Sequence, residues 1–147
     1  RFMGAPFRRR GRRADEALRL IKALWAGEKT FHGEFWSFED AVSEPLPSPP
    51  PEIWVGGGSD RAVRRARELG DVWHPSRSGT PERVREVKAR FPELRVVPRI
   101  SGPSAAEIAA KVDQYRDAGC EGVVASFGTE PSRAVASMQE LARTLAV

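Results

Sequence analysis

The sequence predicts an α/β protein built from parallel strand-helix units, and three observations carry that prediction. Four short apolar segments recur in the second part of the chain: "EIWVG", "GDVWHP", "LRVVPRI" and "EGVVASF". Each is followed by a stretch with apolar residues at helical spacing, and these stretches open on residues suited to capping a helix. Strands that alternate with helices read as parallel βα units rather than a meander. Right-handed crossovers place every helix on one side of such a sheet. Four units are half of the eight that close a barrel, so the chain reads either as an open sheet or as part of something larger.

The elements follow in order. From Arg12 to Ala26, Ala14, Leu18, Ile21 and Trp25 recur at helical spacing, Ala17 and Leu24 widen the stripe, and Gly27 stands where a helix-ending glycine belongs. "KTFHGEFWSFED" reads as extended, with Phe31, Phe35 and Phe38 available to pack and Gly33 turning the chain. The prolines of "EPLPSPPPE" forbid helix and central strand alike, which leaves a stiff connector. After the strand "EIWVG", Ser59 caps a helix carrying Ala62, Val63, Ala66 and Leu69. Pro75 ends "GDVWHP", and Thr80 with Pro81 opens a helix bearing Val84, Val87 and Phe91. Pro98 interrupts the third strand. Ser104 and Glu107 form a capping-box pair ahead of Ile108, Val112 and Tyr115. The last helix starts near Pro131 and places Val135, Met138, Leu141 and Leu145 on one face.

Composition narrows the function classes. At 147 residues the chain has the size of one ordinary domain, with no apolar run near the roughly 20 residues that span a membrane. No charged-then-apolar leader opens it, so a cytoplasmic protein without a membrane partner is expected. Cys120 is the only cysteine, which excludes an internal disulfide and a cysteine-rich zinc site, and no metal site is expected. Its setting in "AGCEGVV" favours a small buried side chain over a reactive thiol. The net charge of +4 is unevenly placed: Arg1, Arg8, Arg9, Arg10, Arg12 and Arg13 fall in a stretch without an acid. That arm carries neither a stacking platform nor a nucleic-acid motif, so nucleic acid is not an expected partner.

The glycine run "IWVGGGSD" stands between a strand and a helix. Glycine lets the backbone approach an anion closely, and a helix start supplies unpaired N–H groups and the favourable end of the dipole. Gly56 and Gly58 satisfy two positions of G-x-G-x-x-G, but Arg61 occupies the third, and there is no G-K-[ST] ending. On these residues alone, a phosphate cradle and a plain structural turn both remain open.

Successive blocks nevertheless resemble a known family. "RRGRRADEALRLIKALWAGE", "HGEFWSFED" and "PPPEIWVGGGSDRAVRRARELGDVWHP" are similar, in order and spacing, to the bacterial luciferase-like monooxygenases, above all the branch that uses the deazaflavin coenzyme F420. The resemblance implies a TIM-type (β/α)8 barrel whose fifth to eighth strands are present here, the first four lying outside this sequence. Residues 1–147 would form a partial barrel domain, with 28–52 as an insertion and proline-rich connector. It implies an oxidoreductase performing hydride transfer or monooxygenation with F420, the preferred cofactor, or FMN. The loop after the fifth strand would contact the cofactor phosphate, which points to Gly56, Gly57, Gly58 and Ser59, with Trp73 and His74 near the cofactor edge; Trp73 reads equally as core packing and His74 as a surface residue of the loop. On that assignment Gly58→Asp should weaken cofactor binding. Proton donors in the family belong mainly to the other half, so no catalytic residue is named, and His32 is expected to be structural or solvated. A small-molecule substrate is the expected further partner. The sheet would be completed by the N-terminal half or by a second copy in a homodimer. The alternative is a catalytically inactive half-barrel that dimerises or complements an N-terminal fragment.

Overall fold

The computed structural model describes residues 7–75, 77–127 and 131–145. The chain divides into two compact units, Arg1–Ile53 and Trp54–Val147. Arg1, part of the basic arm, lies outside the described residues.

In the first unit a short 3-10 turn, Phe7–Arg9, leads into α1, Arg10–Trp25. Gly27 ends this helix with a φ of 78°, and the N–H of Glu28 reaches back to the Ala23 carbonyl at 3.0 Å. A left-handed residue after the helix lets the chain fold back onto the last carbonyls, and glycine adopts it without steric cost. The extended segment that follows is a small antiparallel hairpin of β1, Phe31–His32, and β2, Ser37–Phe38. Phe31 and Phe38 stack across it with ring centroids 5.9 Å apart. The apolar stripe of α1 is only half-buried, and the one buried side chain described on the helix is Glu16. Its carboxylate accepts hydrogen bonds from the backbone N–H groups of Glu34 at 2.9 Å, Phe35 at 2.7 Å and Trp36 at 2.9 Å. One acid thus satisfies the hairpin turn's donors, which is what makes its burial tolerable. The arginines of the basic arm are drawn into the same structure. Arg9 and Arg12 pair with Glu34, and Arg13 lies over the rings of Phe35 and Trp36 at 5.3 and 4.9 Å.

The second unit holds the parallel sheet. Its strands are β3, Trp54–Gly56; β4, Val72–His74; β5, Arg95–Val96; β6, Arg99–Ser101; and β7, Val124–Ser126. The helices between and after them are α2, Asp60–Leu69; α3, Pro81–Arg90; α4, Ala105–Asp117; and α5, Pro131–Thr144. β3 pairs with β4, β4 with β5, and β6 with β7, all parallel. β5 and β6 are one run of chain divided at Pro98, which has no N–H to give a ladder. The run stays bonded on both sides: Val97 and Arg99 donate to the Trp73 and Pro75 carbonyls at 3.1 and 2.9 Å, and Val124 donates to the Pro98 carbonyl at 2.9 Å. Four strand runs therefore lie side by side in chain order, each followed by a helix, as the alternation predicts.

Register separates the faces of this sheet. Val55, Trp73, Val96 and Ile100 are buried on one face, together with Ala62, Val63 and Ala66 of α2, Val84 and Val87 of α3, and Ile108 of α4. The alternate residues Trp54 and Val124 remain 44% and 38% exposed, and Arg95, Arg99 and Ser101 are exposed beside them. Helices thus cover one face, and the other is only partly open: Val72, between Trp54 and Arg95 in the register, is fully buried. The last helix departs from expectation in part. Leu141 is buried and Leu145 half-buried against α4, but Val135 and Met138 are 55% and 56% exposed. Successive steps of three residues drift around a helix of 3.6 residues per turn, so that stripe leaves the packed face toward its start.

Candidate functional site

All strands of the second unit run parallel, so their carboxyl ends share one edge. β3 delivers the glycine run to that edge. Gly56 lies opposite His74 in the register, and the indole Nε1–H of Trp73 donates to the Gly57 carbonyl at 2.7 Å. Trp54 packs its ring against His74, with centroids 5.4 Å apart. The structure therefore brings all six sequence-predicted residues, Gly56, Gly57, Gly58, Ser59, Trp73 and His74, to the ends of two neighbouring strands.

The three glycines are there for different reasons. Gly57 has a φ of 109°, a backbone state that side-chain-bearing residues rarely adopt, and a Cβ on it would stand 3.1 Å from Ala62 Cβ. A Cβ on Gly58 would overlap the side chain of Ser78, so the loop after β4 occupies that space. Gly56 meets neither demand: its Cβ would make an ordinary 3.7 Å contact with the His74 carbonyl, and its φ is unexceptional. Ser59 caps α2, its Oγ accepting from the Ala62 N–H at 3.2 Å. The N–H groups of Asp60 and Arg61, in the first turn, have no acceptor within the helix. Asp60 brings a negative charge to this end, but its carboxylate is bound by Arg83, with Arg90 3.7 Å away. The hydrogen bond from Arg83 and its charge hold that carboxyl below the usual range.

Trp73 is fully buried on the helix-covered face. Its contribution to the edge comes through the loop it holds, not through an exposed ring. His74 is half-buried, and its Nδ1 lies 2.5 Å from the Val97 carbonyl. A carbonyl can only accept, so Nδ1 carries a proton and Nε2 is the atom left for another partner. A left-handed glycine, an adjacent backbone bare of Cβ and a helix start make a donor set that suits a phosphate ester.

The other sequence-predicted positions sit elsewhere. His32 is exposed in the hairpin, 3.9 Å from Glu39. Cys120 is half-buried, and burial followed by the charge of Glu121 pushes its thiol up to about 11, so it is neutral at physiological pH. Among the described residues no cluster of His, Cys, Asp or Glu has the makings of a metal site, and no helix is long and apolar enough to cross a membrane. One cluster escaped the sequence reading: Arg77, Arg99, Lys111 and Tyr115 line a shared cavity. They come from three segments with no local motif to join them.

A sequence profile described as luciferase-like monooxygenase matches residues 1–97, which include the hairpin, the glycine run and β4. The chain belongs to the luciferase-like monooxygenase family. Within this family it is 37% identical over 95 residues to an uncharacterized protein of Mycobacterium tuberculosis, a match covering 64% of this chain and 32% of that protein. It is 32% identical over 96 residues to an FMNH2-dependent dimethylsulfone monooxygenase of Pseudomonas putida, covering 63% and 25% of the two chains. Over 65 residues it is 40% identical to an F420-dependent glucose-6-phosphate dehydrogenase of Kineococcus radiotolerans, covering 44% and 19%. The chain thus aligns with about a third or less of the length of these relatives. Among solved structures, an F420-dependent secondary alcohol dehydrogenase in complex with an F420-acetone adduct superposes with a TM-score of 0.74 at 13% identity, over 93% of this chain and 62% of that one. The fold is therefore that of the luciferase-like barrel, of which this chain carries the parallel units described above.

Proposed function

We propose that the chain is the C-terminal portion of an F420- or FMN-dependent oxidoreductase and forms the phosphate-side rim of its cofactor site. The observation that carries this reading is Gly56, the one glycine of the run that neither backbone conformation nor packing requires. A residue without a side chain on an exposed strand end leaves room for close approach of a ligand to the backbone. The rim binds through the backbone of Gly56 to Gly58, the Ser59 hydroxyl and the N–H groups of α2's first turn. Trp73 positions it by holding Gly57, and His74 presents Nε2 beside it. The bound flavin or deazaflavin supplies hydride transfer, and oxygen activation in the case of FMN. Relatives of both kinds support a flavin or deazaflavin cofactor; F420 is our preferred choice, on the resemblance of the sequence blocks. The substrate is a small molecule that meets the ring in the completed barrel.

The test is Gly56→Ala. A methyl on the open side stands between phosphate and backbone, so affinity for F420 and FMN is expected to fall about tenfold, equivalent to about 1.4 kcal/mol, with the melting temperature unchanged. Unaltered affinity overturns the assignment. Gly58→Asp does not test it cleanly, because any side chain there collides with Ser78.

A second reading is a catalytically inactive half-barrel completed by a homodimer or an N-terminal fragment. The exposed sheet face bearing Trp54 and Val124 favours it. Cofactor binding by the chain alone separates the two.

A further inference from the structure

Arg77, Arg99 and Lys111 reach one cavity of about 400 Å³ from the loop after β4, from β6 and from α4, with Ile100, Ser101 and Tyr115 completing its wall. Arg99 and Lys111 are held by neutral groups, and Arg77 stands on a loop tied down beside them. Arg99 donates to Ser126 Oγ at 3.3 Å, and Lys111 Nζ donates to the Ser101 carbonyl at 2.5 Å. The Tyr115 hydroxyl donates to the Gly79 carbonyl at 2.6 Å, tying α4 to the loop that carries Arg77. Among the described residues none of the three cations is ion-paired with a carboxylate, although Arg67, Arg83, Lys88 and Arg116 of the same unit all are.

Three like charges around one small volume repel one another, and carbonyl or hydroxyl oxygens offset that only in part. An anion with several acceptor oxygens offsets it fully, and guanidinium groups are shaped to take two such oxygens each. We propose that this cavity is a phosphate-monoester subsite, in which Arg77, Arg99 and Lys111 bind the dianion from three segments. Three donors arriving from separate segments match the three terminal oxygens of a phosphate better than the two coplanar oxygens of a carboxylate. The volume falls within the roughly 300–1,000 Å³ of small-molecule sites, which leaves room for an organic body beyond the phosphate. The cavity lies at the same strand edge as the glycine rim but is built on β6 and α4 rather than β3 and α2. Arg99, Lys111 and Tyr115 also fall beyond residue 97, outside the segment that matches the family profile.

The experiment titrates inorganic phosphate into the protein and follows the backbone amide shifts of Ile100 to Gly102 by NMR. Saturable binding is expected, displaced by sulfate but not by chloride. Arg77→Ala should weaken it about tenfold, since losing one charge-assisted contact to an anion costs on that order. Arg77 makes no bond to another described residue, so its removal should leave the melting temperature unchanged, and Lys111→Met gives an independent second variant. Gly56→Ala should have no effect on phosphate, which separates this proposal from the cofactor reading. FMN then identifies the source of the phosphate. If phosphate and FMN bind together and Arg77→Ala affects phosphate alone, the subsite serves a phosphorylated substrate. If they compete and Arg77→Ala weakens both, it serves the cofactor's phosphate. Shifts that rise linearly without saturation, or phosphate binding unchanged in both Arg77→Ala and Lys111→Met, overturn the proposal.

Discussion

Consecutive glycines can be chemically identical and physically unrelated. Gly57 is set by backbone conformation, Gly58 by the Ser78 side chain, and Gly56 by neither. The strand-glycine-helix pattern made the loop legible in the sequence, because a turn and a cap are local. The division of labour was not, because Ser78 lies twenty positions away along the chain. The same holds for Trp73, whose indole N–H fixes the Gly57 carbonyl from the neighbouring strand. Trp73→Phe keeps an aromatic ring in the core but removes that donor and leaves a gap. It should lower stability by about 1–3 kcal/mol, read by denaturant unfolding. It should also speed hydrogen exchange at Gly57 and Gly58, which a purely packing role would not single out.

Among the elements, those fixed by neighbours in sequence were the ones foreseen. Ser59, Thr80 and Ser104 cap their helices through the N–H groups of Ala62, Arg83 and Glu107, each three residues on. What joins elements was hidden, and Glu121 illustrates it. Its carboxylate accepts from the Val96 N–H at 2.8 Å while pairing with Lys88 at 2.8 Å, and Lys88 also donates to the Pro92 and Leu94 carbonyls. One side chain thus ties the start of β7's segment to β5 and α3. Burial raises the pKa of Glu121, but the hydrogen bonds from Lys88 and Val96 outweigh it and hold the group below its ordinary 4.5. A carboxyl depressed in the folded state contributes stability above its unfolded pKa and loses it as pH falls through the folded value. The melting temperature should therefore drop on acidification below about pH 4.5. Glu121→Gln should be less stable at pH 7 and show a shallower acid dependence. An identical acid profile in the variant would remove Glu121 from that role. Glu16 was missed for the same reason, since it serves donors eighteen to twenty residues away.

At the scale of the whole molecule, the sheet of residues 54–147 has one face packed under helices and one on which Trp54, Val124, Arg95 and Arg99 are exposed beside a buried Val72. Alternation of strand and helix announced the parallel sheet, but an open face carries no local signal and emerged only from the register. Exposed apolar strand residues favour association. Sedimentation velocity should show concentration-dependent self-association, and Val124→Lys should shift it toward monomer. Monomer at all concentrations would mean the face is tolerated by itself. The division at Pro98 has a geometric meaning beyond a lost hydrogen bond. The run Arg95–Ser101 meets β4 mainly through its first half and β7 through its second, so each strand is displaced along its neighbour. Repeated around a ring, that displacement is the shear that tilts strands against an axis and sets a barrel's diameter. A sheet meant to remain open has no need of it, and here the slip is written into the position of a single proline.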